Sequence, residues 1–290
     1  MNNPPEPGIV NYGTMIANRQ AFLRAVIVLA SAALVSAAAR AQEKPFQPEV
    51  GQAGKDVIWV PTPPETVERM LDVASVTPGD FVMDLGSGDG RNVIAAAKRG
   101  ARALGIEFNP KMVEFSTQKA MEAGVADKAK FVQGDMYAAD FSQANVLALF
   151  LLPSNMLQLR SKFLELRPGS RIVSNTFGIE GWTPDRTETV PPPCEAWCTV
   201  HLWIVPAKTA GTWRLPNGQV TLTQTYQMVT GRLTTNNSSL PIAGKLQGDQ
   251  ITLQAGNVEY AGRVTGDVME GTMKAGGAGA TQWRATRTTN

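Results

Sequence analysis

The 290-residue chain contains a single histidine, His201. A Ser–His or Cys–His mechanism would have to run through that one imidazole. It sits in TVHLWIV, an apolar strand pattern that reads as a core or edge position. Cysteine is equally scarce: Cys194 and Cys198, in PPPCEAWC, are the whole supply. Their C-x3-C spacing is not the C-x-x-C of a redox motif, and with one histidine they are too few ligands for a structural zinc site. No metal is expected. In an oxidising compartment such a close pair in a proline-rich loop suits a disulfide; elsewhere it reads as two free thiols. There is no long basic run, and 27 Lys and Arg stand against 25 Asp and Glu. Nucleic-acid binding needs a concentrated positive face to displace counterions, so no nucleic-acid partner is expected. The longest apolar run, residues 25–39, is shorter than the roughly 20 residues a spanning helix requires.

That run has its own reading. Arg19 and Arg24 precede it, and Ala39-Arg40-Ala41 follows it. Charged, apolar, then small residues is the order of a secretory signal. Residues 1–41 are therefore expected to direct export to a periplasm, with cleavage near Ala41. A membrane anchor at residues 25–41 and an organelle presequence are the alternatives, and transient membrane contact is expected through this segment. Met15 is a candidate start, since residues 1–14 match neither signal nor fold. Residues 1–41 hold Arg19, Arg24, Arg40 and Glu6, so without them 24 bases face 24 acids.

Two textures follow. Residues 42–206 alternate apolar strands with helical patterns. PTPPETVERMLDVASV opens with prolines and an acidic first turn, which start a helix. FVMDL, ALGIEF, KFVQGD, NVLALFLL and SRIVSNTF read as strands with helices between them. Near-continuous apolar strands alternating with helices predict a doubly wound, Rossmann-like, mostly parallel sheet. From residue 207 to 290 the helical patterns stop. Short alternating segments separated by Gly and Asn predict an all-β antiparallel domain of seven or eight strands, a small barrel or a sandwich. GKLQGDQITL from Gly244 and GRVTGDVMEG from Gly262 form a weak internal repeat there.

The chemistry is carried by VMDLGSGDGR. A glycine-rich turn after a first strand lets a nucleotide-like ligand approach the backbone. The dinucleotide spacing G-x-G-x-x-G would place its third glycine at Arg91; here Gly86, Gly88 and Gly90, with Ser87 between the first two, give G-x-G-x-G. Glu107, ending ALGIEF, is placed to accept ribose hydroxyls. Asp84 suits the ammonium of an amino-acid tail. Asp135, ending KFVQGD, with Met136 after it, supplies an acceptor for an exocyclic amine and an apolar wall for a purine. Ribose, adenine and an amino-acid tail without phosphate describe S-adenosyl-L-methionine (SAM).

DLGSGDG and GIEF resemble the first and second motifs of the class I, seven-strand SAM-dependent methyltransferases. WVPTPPETVERML and LALFLLPSN are similar to segments of the small protein-lysine methyltransferases, the archaeal broad-specificity type and the mitochondrial type acting on ATP synthase. The resemblance spans about residues 55–205. It implies a protein substrate, N-methylation of a lysine amine, and a loop carrying Thr62 and Pro63 beside the cofactor.

Transfer from a sulfonium is an in-line displacement of an already activated methyl group, so alignment and desolvation of the nucleophile are the main requirements. No catalytic triad is expected. The strand-four end reads LLPSN rather than N-P-P-Y, which disfavours base and amide acceptors. Asn155 and Asn175 are the catalytic candidates, placed by this reading at the fourth and fifth strand ends. Two further readings stay open: a methyltransferase for a small molecule or lipid, and an exported, non-catalytic protein that binds a ligand or partner through its β domain.

Overall fold

The computed structural model describes residues 1–4, 46–236, 238–277 and 279–288. The expected export signal, its cleavage near Ala41, the anchor at 25–41 and the start at Met15 fall on residues outside this set. Among the described residues no helix is long and apolar enough to cross a membrane. Residues Gln47–Asn290 form one compact unit.

Its first part is a seven-stranded sheet. The strands are β1 (Phe81–Leu85), β2 (Arg102–Glu107), β3 (Ala129–Gln133), β4 (Val146–Leu149), β5 (Arg171–Asn175), β6 (Arg186–Thr189) and β7 (Thr199–Ile204). They lie in the order β3-β2-β1-β4-β5-β7-β6, with β1 to β5 parallel and β7 antiparallel to both its neighbours. The helices are α1 (Pro64–Val73), α2 (Arg91–Lys98), α3 (Pro110–Glu122) and α4 (Pro153–Phe163). Three of them start as the sequence requires. Proline occupies the first turn of α1, α3 and α4, where a missing N–H costs nothing, and the Asn109 side chain accepts from Lys111 N at 3.0 Å to cap α3.

Successive strand residues feed opposite faces. Val82, Ala103, Val146, Ala148 and Val173 pack beneath α1 and α2 with Val67, Met70, Leu71 and Val93. Met83, Leu85, Leu147, Leu149, Ile172 and Trp203 pack against Met156, Leu159 and Phe163 of α4. Both faces are thus covered, as the apolar runs foretold. The order reverses at β1, which has β2 on one side and β4 on the other. In open α/β sheets the crevice at such a switch point, outside the carboxyl ends of the strands, is where ligands bind.

The second part is a closed barrel. Its strands are β8 (Gly211–Leu215), β9 (Gly218–Thr225), β10 (Met228–Thr235), β11 (Ser238–Gln247), β12 (Gln250–Ala255), β13 (Val258–Thr265), β14 (Val268–Ala275) and β15 (Thr281–Arg287), with β15 returning to pair with β8. Of the two expected architectures the chain adopts the barrel, whose closure removes exposed sheet edges. The interior holds Trp213, Val220, Leu222, Val229, Ile242, Leu246, Ile251, Leu253 and Met269. The G-D of the internal repeat supplies the tight turns Gly248–Asp249 and Gly266–Asp267, with φ of +63° and +55° at the glycines.

Candidate active site

The loop after β1 hooks over β2. Gly86 N and Ser87 N both donate to Ile106 O, at 2.8 and 3.0 Å. Gly88 N donates to Glu107 Oε2 at 2.9 Å, and the other carboxylate oxygen accepts from Asn109 N at 2.9 Å. Glu107 therefore fastens the glycine loop to the start of α3. A Cβ on Gly88, whose φ is +54°, would lie 2.5 Å from Trp59 Nε1. Only glycine allows the indole to lie on that turn. Gly90 serves a different purpose. A Cβ there would meet Phe131 Cζ at 2.5 Å, so this glycine permits helix–sheet packing and does not line the cleft.

A strap covers the loop. Gly51 N donates to Trp59 O and Trp59 N to Gln52 O, closing residues 51–59 into a short hairpin. Lys55 Nζ reaches Asp135 Oδ2 at 2.7 Å and stands 5.2 Å from the Phe108 ring centroid. Arg91 pairs with Asp89 and donates to Thr62 O at 2.5 Å, tying the strap's exit to the loop.

Beneath the strap, the cleft has two halves. The first, about 80 Å³, is lined by Glu107, Phe108, Asp135 and Met136 with Lys55 and Trp59. The second, about 30 Å³, is lined by Thr62, Asp84, Ser87, Gly88 and Asn92 with Trp59. Gly86 and Phe150 border both. Eight of the ten expected cofactor residues thus meet in one place; Pro63 and Gly90 stand outside the lining. The three acids from successive strand ends face the same cleft.

The electrostatics differ between the halves. Asp84 is 4% exposed, and Asn92 Nδ2 donates to it at 3.0 Å. Burial pushes its carboxyl well above the usual carboxylate range, with smaller contributions from the charges of Glu107 and Asp89 and an opposing one from the Asn92 hydrogen bond. A cation placed there would reverse that shift. Ser87 Oγ and Asn92 Oδ1 are buried without hydrogen-bond partners, both in this half. An amino-acid tail supplies the ammonium and the polar atoms this half lacks, so the residues present fit it. In the other half Asp135 is only partly buried, and its hydrogen bond from Lys55, then that from Tyr137 N, lowers its pKa. The sequence left Asp135 open to adenine; in the structure Lys55 already holds one of its oxygens.

The two catalytic candidates are placed differently from the rest. Asn155 and Asn175 are 4% and 0% exposed, and neither lines the cleft. Asn155 Nδ2 donates to Tyr137 Oη at 2.6 Å, and Asn175 Oδ1 accepts from Thr176 Oγ1 at 2.9 Å. His201 lies on β7, flanked by β5 and the edge strand β6, with its ring between Thr187 Oγ1 and Thr176 O. The two cysteines are joined as a disulfide. Sequence reasoning singled out neither Trp59 nor Lys55 for the site, although Trp59 opens the WVPTPP segment.

The ANTKMT methyltransferase domain, as a family profile, matches residues 84–186, the stretch from Asp84 to the first residue of β6. A protein-lysine N-methyltransferase of Saccharolobus islandicus is 41% identical over 131 residues, 44% of this chain and 81% of that protein. A lysine N-methyltransferase of Mus musculus, named for its action on ATP synthase, is 42% identical over 130 residues, 44% of this chain. Of that mouse protein the chain spans about half, 52%. A solved structure described as an RNA methyltransferase from Salinibacter ruber with S-adenosyl-L-homocysteine is 45% identical, covers 52% of this chain and 96% of that one, and has a TM-score of 0.49.

Proposed function

This chain belongs to the family of these protein-lysine methyltransferases and is a class I SAM-dependent enzyme, and from that premise we propose that it methylates the side-chain amine of a lysine in a protein substrate. The observation that carries the reading is the convergence of Asp84, Glu107 and Asp135 on one cleft around the glycine loop.

The cofactor supplies a methyl group already activated on a sulfonium. The chain's own residues bind, orient and exclude water. Glu107 holds the loop and offers its remaining lone pairs to ribose hydroxyls. Asp84 takes the ammonium of the tail, with Ser87 and Asn92 beside it. Met136 and Phe108 wall the purine. The strap, with Trp59 on Gly88, keeps water from the turn. A lysine nucleophile must arrive neutral, and the site's contribution to that is alignment in a water-poor slot. In this reading Asn155 and Asn175 act as positioning residues: one fixes Tyr137, the other the Thr176 hydroxyl just after β5.

We also propose export. The support is the Cys194–Cys198 disulfide, since cytosolic thiols are kept reduced. Mass spectrometry of the native protein should find an N-terminus just after Ala41 in a periplasmic fraction. Finding residues 25–41 intact in soluble cytosol would reject that.

The functional test is tritiated-methyl transfer from SAM into a lysate, followed by amino-acid analysis of the labelled protein. Label in methyl-lysine is expected. Label confined to lipid or small molecules would overturn the lysine assignment.

A further inference from the structure

We propose that Phe150, Phe177 and Trp197 form the acceptor slot, and that the ring closed by Cys194 and Cys198 is its fixed rim. The proposal rests on the lysine reading and names the surface that would receive the side chain.

Three elements deliver these rings to one spot. Phe150 directly follows β4 and borders both halves of the cofactor cleft. Phe177 comes two residues after β5, and Trp197 lies on the loop between β6 and β7. Their centroids are 5.9 Å apart for Phe150–Phe177, 5.5 Å for Phe150–Trp197 and 5.7 Å for Phe177–Trp197. The ends of β4 and β5 and the β6–β7 loop thus bring the three rings into one mutually contacting aromatic cluster, which meets the cofactor cleft at Phe150.

Burial does not explain Trp197. Its side chain is 40% exposed, and its backbone adopts φ +60°, a region unfavourable for a bulky residue. Strain of this kind persists only where the surroundings over-determine it. Here they do so twice. The disulfide closes the ring Cys194-Glu195-Ala196-Trp197-Cys198, and Thr66 Oγ1, fully buried on α1, donates to Trp197 O at 3.3 Å. Phe177 is fixed with similar care. Ser174 Oγ donates to Phe177 O at 2.8 Å, Phe177 N donates to Asn175 O at 2.6 Å, and the intervening Thr176 has φ +60° and a carbonyl bonded to His201 Nε2. The buried Asn175 and the lone histidine, neither of which lines the cleft, both help to aim Phe177.

A wall of π-faces fits a lysine side chain. The aliphatic stem packs on the rings, and an ammonium or methylated ammonium is attracted to their faces. Glu195, exposed in the same ring as Trp197, adds negative charge at the mouth. A neutral lipid tail would gain from the wall but not from that carboxylate.

The test separates binding from turnover. A fluorescein-labelled lysine–glycine peptide is titrated by anisotropy into the protein saturated with S-adenosyl-L-homocysteine, and methyl transfer to the unlabelled peptide is measured in parallel. Trp197→Ala is expected to raise the peptide Kd and KM about tenfold, with kcat less affected and Trp197→Phe restoring most of the loss. The Cys194→Ser/Cys198→Ser pair should fall between them. Calorimetric affinity for S-adenosyl-L-homocysteine should be unchanged in all three, which also shows that they are folded. Peptide binding that is absent in the parent, or unchanged in Trp197→Ala, overturns the slot. Trp197-dependent binding without methyl-lysine formation would leave the slot standing and remove the lysine function. Methyl-lysine formation indifferent to Trp197 would do the reverse.

Discussion

Replacing Glu107 tests the centre of the site, because its carboxylate has two duties that separate experimentally. One is structural: the two oxygens accept from Gly88 N and Asn109 N, each at 2.9 Å. A hydrogen bond to a charged group contributes about 1.5–3 kcal/mol net, and for a half-buried carboxylate the lower end applies. Losing both costs about 3 kcal/mol in Glu107→Ala. For a folded unit of this size, about 2–4 °C per kcal/mol places the fall in Tm at about 6–12 °C. The second duty is ligand binding. A carboxylate has about four acceptor positions, of which the backbone uses two, leaving two for ribose hydroxyls. Losing one or two such bonds weakens cofactor binding by about 10-fold to 1000-fold. Glu107→Gln keeps one acceptor oxygen but turns an N–H₂ toward a backbone N–H, so it should recover little of either. The assay pairs thermal unfolding with calorimetric titration of S-adenosyl-L-homocysteine well below the mutant's Tm. A Glu107→Ala protein that melts earlier yet binds with parental affinity would show the carboxylate to be a loop fastener only, and would refute the ribose assignment.

Asp84 should make cofactor binding proton-linked. Burial raises its pKa, so the folded chain keeps a proton there that the unfolded chain releases, and stability should fall as pH climbs from the ordinary carboxylate range through the raised value; Asp84→Asn should flatten that slope. A bound ammonium reverses the shift, so calorimetry in two buffers of different ionisation enthalpy should read proton release on binding, and zero release at every pH above the ordinary carboxylate range would refute the tail assignment. Gly88→Ala should cost about 1–2 kcal/mol from its positive φ and displace Trp59, weakening cofactor affinity at least about tenfold; adding Trp59→Ala should relieve the clash but not the backbone strain, and parental affinity in the single variant would show that Trp59 does not bear on the turn. Lys55→Ala removes an exposed ion pair and should leave stability nearly unchanged, while speeding release of the cofactor severalfold in stopped-flow displacement; an unchanged rate would show that the strap does not gate the cleft.

Much of this architecture was legible because the sheet is buried on both faces. Runs such as NVLALFLL have no amphipathic alternative, and a bare turn followed by an acid on the next strand has few other uses. β6 escaped because Arg186–Thr189 is a polar edge strand, charged as exposed edges tend to be. The β9–β10 hairpin turns at Tyr226–Gln227, where Tyr226 takes φ +54° with no glycine or asparagine to announce the turn. Asn155 and Asn175 were expected at two strand ends facing the acceptor; Asn175 does end β5, but Asn155 falls in the first turn of α4, and with both faces of the sheet covered both side chains are buried. The strap and the aromatic wall had no local signature at all. Lys55 meets Asp135 across 80 positions, and the wall unites positions 150, 177 and 197, so each exists only once the topology has brought its parts together.

The barrel poses the complementary problem. Its strands were readable, yet its place in the molecule was not. It docks through its tight turns. Tyr226 stacks on Trp182 at 5.4 Å, Gln227 Nε2 donates to Thr183 O, Lys245 pairs with Asp185 at 2.9 Å, and Ala207 N donates to Gly248 O beside Gly169. Gly169 precedes β5 and Asp185 precedes β6, so these contacts lie at the amino ends of those strands, whereas the cleft and the aromatic wall lie at the carboxyl ends of the parallel ones. No barrel residue lines either half of the cleft, and the family profile's match ends at residue 186. The residues lining the cleft come from the strap, the sheet and the loops above it. A domain fixed to the opposite end of the sheet stabilises the β6–β7 edge through the aromatic stack and the Lys245–Asp185 pair.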